Sequence, residues 1–325
     1  NSCGSAMSRR AESKVLQGVQ IDGLALLKII KHCNENKGES VSGQLLGLNV
    51  EGKLEVTNSF PGLPAEEKTD PDAFLDAMMK LLKQVNVDNN SVGWYQSAYG
   101  GEWIENDIIR TQYNFQSSIP ESVVLVYDPY TTTKGNLAVK TYRLNPDFMK
   151  FYKTKDFSHI NFAKHRIDSS DIFEEIPMKV HNSHLIHAFL YELQEKDTFS
   201  CEFDRLDLTS DTLFRRNLSI MSTSIDELLQ DQNKFSYNQR QVQRLKQQQQ
   251  QQRQKMEAKL ANGETADDET TSVRRNIPYL PRMDAYLVAH KITHYSKKLR
   301  TMIGQSMTKM FEVDALCREQ TAPSL

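Results

Sequence analysis

Apolar residues in this chain change period several times, and the changes mark out its elements. Val19 and Ile21 alternate with polar neighbours as a short strand does. Asp22 stands where it can N-cap a helix to about Asn34, with Leu24, Leu27 and Ile30 on one side. Gln44 to Val50 and Leu54 to Phe60 are strand-like runs, joined by Glu51-Gly52-Lys53 in a length that suits a hairpin. A polar loop from Pro61 to Asp70 leads to Pro71, a residue favoured in the first turn of a helix. Phe74, Ala77, Met78, Leu81, Leu82 and Val85 then keep helical spacing. Ser91 to Ser97 predicts a strand, and Ile104 to Ser117 a helix stopped by Pro120. Ser122 to Tyr127 is apolar enough for a strand buried on both faces, and Leu137 to Leu144 predicts a further strand. Strands interleaved with helices make residues 15–145 an α/β sandwich around one core.

The second half follows another pattern. Asn145 to Asp171 is irregular with short helical hints, and Ile176 to Val180 suits a final strand. A helix capped by Asn182 or Ser183 and running to about Glu195 follows, so residues 146–200 connect to and complete the first domain. From near Thr209, where Ser210 or Asp211 can cap a helix, Phe214, Leu218, Met221, Ile225, Leu228 and Phe235 keep the 4–3 spacing of a coiled-coil or bundle seam. Residues 209–260 read as one long helix whose seam gives out beyond Gln239, toward a glutamine run at Gln247 to Gln252. Residues 261–281 form a linker rich in acids and threonine. The last helix, over residues 282–319, has no proline and carries Leu287, Ile292, Leu299, Met302, Ile303, Met310 and Phe311. Two long helices with narrow apolar stripes cannot bury them unaided. Those stripes are expected to meet partner helices, closure of one on the other within the chain being the alternative.

Composition narrows the function classes. With 38% hydrophobic and 25% charged residues, part of the chain should be extended or disordered, residues 1–14 first of all. A formal net charge of -2 argues against whole-chain attraction to nucleic acid or membrane. No apolar run approaches the roughly 18 residues that span a bilayer. Asn1 to Ala6 lacks the apolar core of a signal peptide. Cys3, Cys33, Cys201 and Cys317 are scattered without paired spacing and read as reduced thiols of a cytoplasmic protein. Residues 234–259 are basic, and Arg240, Arg244, Lys246 and Arg253 could touch RNA phosphates; a solvated helix face is the plainer reading. His181, His184 and His187 have a spacing that could hold zinc, but the cap leaves His181 outside the helix, and surface histidines are the better reading.

The segment Val92-Gly93-Trp94-Tyr95-Gln96-Ser97-Ala98 resembles the signature of the MPN family. Enzymes of that family carry Gly-Trp-Tyr-His-Ser-His and hydrolyse ubiquitin-type isopeptide bonds with zinc. Such a site needs three protein ligands, an open position for water and a general base near it. By the resemblance the two histidine positions are Gln96 and Ala98, an amide and a methyl. The aspartate position is Ile108, or Ile109 without a one-residue gap, and the glutamate base position is Ser40, three before Gly43. Asp107 is turned by ~100° on its helix and should miss the site. Glu39 should point to the opposite strand face. Trp94 and Tyr95 could line a groove, with core packing the plainer reading. The chain therefore reads as a relative without catalysis, metal or cofactor.

Further stretches carry the resemblance along most of the chain: Val19-Gln20-Ile21-Asp22-Gly23-Leu24, Leu54-Glu55-Val56-Thr57-Asn58-Ser59-Phe60-Pro61, Glu121 to Pro129, Asn182-Ser183-His184-Leu185 and Arg282-Met283-Asp284. Together they are similar to the inactive H-subunit family of eukaryotic translation initiation factor 3. The resemblance implies an MPN α/β sandwich followed by long helices in a multisubunit bundle. It also implies other subunits of that factor as partners, a second MPN subunit (the F subunit) especially, and the small ribosomal subunit reached through the complex. An inactive MPN subunit of the proteasome lid or signalosome is the first alternative. A deubiquitinase with rearranged ligands is the second.

Overall fold

The structure, a computed structural model, describes residues 16–36, 38–63, 70–99, 102–133, 137–165, 167–196, 211–261 and 281–321. The expected N-terminal tail, the expected helix start at Thr209, the cap candidate Ser210 and nearly all of the expected linker lie outside these residues. The chain divides into two compact units: residues 1–145, 173–217 and 299–325, and residues 146–172 and 218–298.

The first unit is built on strands β1 (Gly18–Asp22), β2 (Ser42–Val50), β3 (Lys53–Pro61), β4 (Ser91–Ser97), β5 (Val123–Tyr127), β6 (Val139–Leu144), β7 (Phe173–Ile176) and β8 (Met178–His181). They form one 8-stranded sheet in the order β7-β6-β5-β4-β2-β3-β1-β8. A two-residue turn joins β2 to β3, with positive φ at Glu51 (53°) and Gly52 (86°), the geometry that matches the twist of paired strands. β5 is buried at every position, as its unbroken apolar run implies.

The one strand expected over Ile176 to Val180 is two. β7 pairs with β6 and β8 with β1, at opposite ends of the strand order, yet only Pro177 lies between them. Consecutive Cα atoms are about 3.8 Å apart, so the sheet must curl until its two ends nearly meet. Proline suits this corner because it has no N–H to leave unpaired; its carbonyl accepts from Val19 N at 2.9 Å.

Helix α1 (Gly23–Glu35) packs into the core that the curled sheet makes. Ala25, Leu26, Ile29 and Cys33 are its buried residues, against Ile21, Leu45, Val56 and Leu125 of the sheet. Leu24 and Leu27, the side picked out by spacing, are 56% and 62% exposed. Both stripes satisfy helical periodicity; the anchoring of the helix N-terminus decides between them. Asp22 makes no side-chain cap. Instead Gly23 N donates to Asn182 Oδ1 at 3.1 Å, across a sequence separation of 159 residues. A Cβ on Gly23 would lie 2.2 Å from that oxygen, so the contact requires glycine. Ser183 is left to cap the following helix, its Oγ accepting from Ile186 N.

Helix α2 (Pro71–Gln84) has Pro at its first position, as expected, and no buried side chain among those described. Helix α3 (Asn106–Ser118) buries Ile108, Ile109, Gln112 and Gln116. The two glutamines are clamps: Gln112 accepts from Trp94 Nε1 (2.8 Å) and donates to Ser122 O, while Gln116 takes both Leu144 N and Leu144 O. A short helix, α4 (Pro129–Thr133), follows β5 where only a strand end was expected.

The second unit turns the short helical hints of Asn145 to Asp171 into two helices. Helices α5 (Pro146–Lys153) and α6 (His159–His165) bury Phe148, Phe151 and Phe162. Periodicity gives no more than hints because each helix has only about two turns. Helix α7 (His184–Lys196) returns to the first unit, and two long helices follow, α8 (Asp211–Ala261) and α9 (Met283–Thr321). In the second unit Phe162 stacks on Tyr286 at 3.8 Å, Arg282 N donates to Phe157 O, and His290 Nδ1 meets Ser169 O at 2.7 Å. Much of the first half of α9 is thereby covered, more than a narrow stripe.

Candidate functional site

The four positions that a zinc site would need lie on β4, the segment before β2, and α3. β4 and β2 are antiparallel, with Gln96 opposite Ser42, Tyr95 opposite Gly43 and Trp94 opposite Gln44. Gln96 Nε2 donates to Ser40 Oγ at 3.1 Å, so the expected ligand and base positions satisfy each other. Ala98 is buried, with its N–H on Tyr127 O. Ile108 and Ile109 are both buried, and of the two Ile108 borders the same cleft.

Ser40, Gln96 and Ile108, but not Ala98, border a cavity of about 480 Å³ in the first unit. Its floor is β2 and β4; α2 brings Phe74 and Leu75, and α3 brings Ile108, Thr111 and Phe115. Trp94, 6% exposed, stacks with Phe115 at 6.3 Å and borders the cleft with what remains open, and Tyr95 is 1% exposed, so core packing holds for both. Asp107, expected to miss the site, stands on its rim with Glu105. Both lie at the start of α3, which opens onto the cleft, so a turn of one residue still leaves the carboxylate at the mouth.

Beneath the cleft, Tyr95 Oη and His32 Nδ1 are 2.8 Å apart. Burial raises the Tyr95 hydroxyl pKa, with Cys33 adding to it, and lowers that of His32 against the pull of Glu35. Burial also pushes the Cys33 thiol up to about 12, which makes it an inert packing group.

The donor set does not fit zinc. An amide, a hydroxyl, a methyl and a branched alkyl chain replace the imidazoles and carboxylates that tetrahedral zinc requires. Among the described residues no group of three or more His, Cys, Asp or Glu could hold a metal ion. His181 Nδ1 lies 3.8 Å from Asp22 Oδ1, and His184 and His187 are exposed.

The long helices present their residues differently from the expected seams. On α8 the covered line is Phe214, Asn217, Met221, Ser224, Leu228, Asp231, Phe235, Asn238, Val242 and Leu245, in a 3–4 alternation. Every seventh position from Asn217 to Asn238 in it is polar. Leu218 and Ile225, chosen as apolar, lie one residue aside at 39% and 38% exposed, and with Leu229 they form a second, open stripe. The covered seam also passes Gln239, where it was expected to stop. Leu287 and Leu299 of α9 are buried within the chain, Ile292 and Met302 are half-buried, and Ile303 is exposed. Beyond it Met307, Met310, Phe311 and Leu316 are exposed too. Every described side chain of α7 is exposed, including Leu185, Ile186, Phe189, Leu190 and Leu193 on one face, a feature that sequence reasoning placed but did not single out. Arg240, Arg244 and Lys246 are exposed on α8; the side chain of Arg253 lies outside the description.

Comparison with known proteins now decides the family. Residues 132–322 match the family described as the C-terminal region of eIF3h, and residues 14–121 match the JAB1/Mov34/MPN/PAD-1 ubiquitin protease family. The chain belongs to the H-subunit family of eukaryotic translation initiation factor 3. It is 38% identical over 323 residues to the H subunit from Xenopus laevis, with 96% of each chain covered. The H subunit from Dictyostelium discoideum is 37% identical, covering 91% of this chain and 93% of its own, and that from Arabidopsis thaliana 36%, covering 93% of each. The matched segments give the H-subunit fold its two parts, an MPN α/β domain and a helical C-terminal region. No described helix is long and apolar enough to cross a membrane.

Proposed function

We propose that this chain is a non-catalytic assembly subunit of translation initiation factor 3 in the cytoplasm, supporting small-ribosomal-subunit binding and mRNA recruitment through the complex. The observation that carries the reading is α7, a helix whose apolar face has nothing against it among the described residues. Exposed apolar surface of this kind is a protein-interaction signal. The open stripe of α8 and the end of α9 extend the same demand for partner helices. A second MPN subunit, the F subunit, is the proposed neighbour of the α/β domain, and α2, half-buried along one side, offers Leu81 to it, with Val85 just after the helix. Exposed Arg240, Arg244 and Lys246 suit weak contact with RNA phosphates. The chemistry speaks against catalysis: neither Gln96 nor Ala98 can ligate zinc as histidine does, and Ser40 is no general base for water.

The test is affinity purification of the tagged chain from its native cells, with mass spectrometry of what accompanies it. Initiation factor subunits, a second MPN protein among them, with small-ribosomal proteins, are the expected result. Proteasome-lid or signalosome subunits in their place would overturn the function and leave the fold standing.

A further inference from the structure

The cleft that lacks zinc ligands has kept its walls, and its charge is one-sided. None of the described residues lining it is Lys, Arg or His. Glu105 and Asp107 are exposed at its mouth, and among the described residues neither has an ion pair or side-chain hydrogen bond. Phe74 and Phe115 are half-buried beside Trp94, so aromatic surface lies directly inside the carboxylates. The volume of about 480 Å³ falls in the usual range of ligand pockets, roughly 300–1,000 Å³. Gln96 and Ser40 are already engaged with each other and leave the inner end of the cleft neutral.

Among the described lining residues an anionic ligand finds no cationic side chain, and the two carboxylates offset the positive end of α3. A fully apolar ligand would have to pass two carboxylates at the mouth. A cation with a flat apolar face meets both features, because it can lie against aromatic rings while its N–H groups reach carboxylates. We propose that this cleft binds an arginine side chain presented by an extended segment of a partner protein, with Phe74 and Phe115 against the guanidinium plane and stem and Glu105 and Asp107 as its acceptors. A guanidinium suits the site better than an ammonium: it is planar, more weakly hydrated and forked toward two acceptors. The site is thus a recognition pocket in a domain without the zinc chemistry of its relatives, separate from the apolar helix faces.

Fluorescence anisotropy of labelled Gly-Ala-Arg-Ala-Gly peptide tests this. Citrulline, lysine and glutamate versions serve as comparisons, titrated against the complex purified on the full chain. The complex is prepared with the wild-type chain and with the double variant Glu105→Gln, Asp107→Asn, two isosteric changes at exposed positions that leave the core untouched. The arginine peptide should bind about tenfold more tightly than the citrulline peptide, which is nearly isosteric but uncharged. That preference should shrink to about twofold or less in the double variant and at high salt. Equal binding of arginine and citrulline peptides, a preference for glutamate, a lysine peptide bound as tightly, binding of none of them, or a preference that survives in the double variant would each overturn the proposal.

Discussion

The contact between Gly23 N and Asn182 Oδ1 shows how much can hang on one pair of residues. It satisfies a helix-end donor, pins the first turn of α1 to the end of β8 and sets which stripe of the helix enters the core. Asn182→Ala should lower the stability of the full chain by about 1 kcal/mol, the usual effect of a lost cap. Gly23→Ala should lower it by about the same, roughly 1 kcal/mol, because a Cβ placed 2.2 Å from the oxygen pushes the Asn182 amide aside and loses the same hydrogen bond. Denaturant melts of both variants check this; equal stability of Gly23→Ala and the parent would refute the role. At the cleft, elemental analysis of the purified complex should find no zinc bound to this chain, and restoring one ligand by Gln96→His should not change that, since three donors are needed. About one zinc per chain, lost on changing Gln96, would reopen the catalytic reading. The unsuitability of the site for zinc was legible in the sequence because it rests on what single side chains can donate. The Asn182 cap was not legible, since nothing in local pattern links residues 159 apart. The place of Asp107 on the rim was not legible for a related reason: rotation per residue fixes direction on a helix, but not where the helix end stands relative to the cleft.

At the scale of elements, α8 shows where periodicity helps and where it misleads. The long helix and its heptad spacing were evident. The covered line was not, because it alternates Phe214, Met221, Leu228, Phe235 and Val242 with Asn217, Ser224, Asp231 and Asn238, and a search for apolar residues slides to Leu218 and Ile225. The same bias hid Gln112 and Gln116, buried polar residues whose spacing from Ile108 and Ile109 was the available clue. In the second unit the contact of α9 with Ser169 carries a pH dependence. Burial first, then Lys297, lowers the His290 pKa from 6.5, against the Ser169 carbonyl and Asp171, which raise it. The folded state thus favours neutral imidazole, and the unfolded chain binds the proton more readily. Stability contributed here is full above about pH 6.5 and falls as the pH drops below it. Thermal midpoints should fall between about pH 7.5 and 5.5, and fall less in His290→Gln; an unchanged difference would remove His290 from the account.

For the molecule as a whole, the α/β domain, its core strands and the presence of long helices followed from pattern, while the closure of the sheet did not. The strand expected over Ile176 to Val180 gave no sign that Pro177 divides two strands at opposite ends of the sheet, because pairing partners are set by tertiary structure. The proposed role is assembly and not hydrolysis. Quantitative co-purification of three tagged forms puts that role to the test: wild type, a face variant carrying Leu185→Glu and Phe189→Glu on α7, and a cleft variant carrying Ser40→Ala and Gln96→Ala. Two charges on an apolar docking face cost about 2 kcal/mol or more each. The face variant should therefore lose most of the initiation factor subunits that accompany wild type, roughly tenfold or more, while the cleft variant keeps them. Full retention by the face variant, or loss by the cleft variant alone, would contradict the claim.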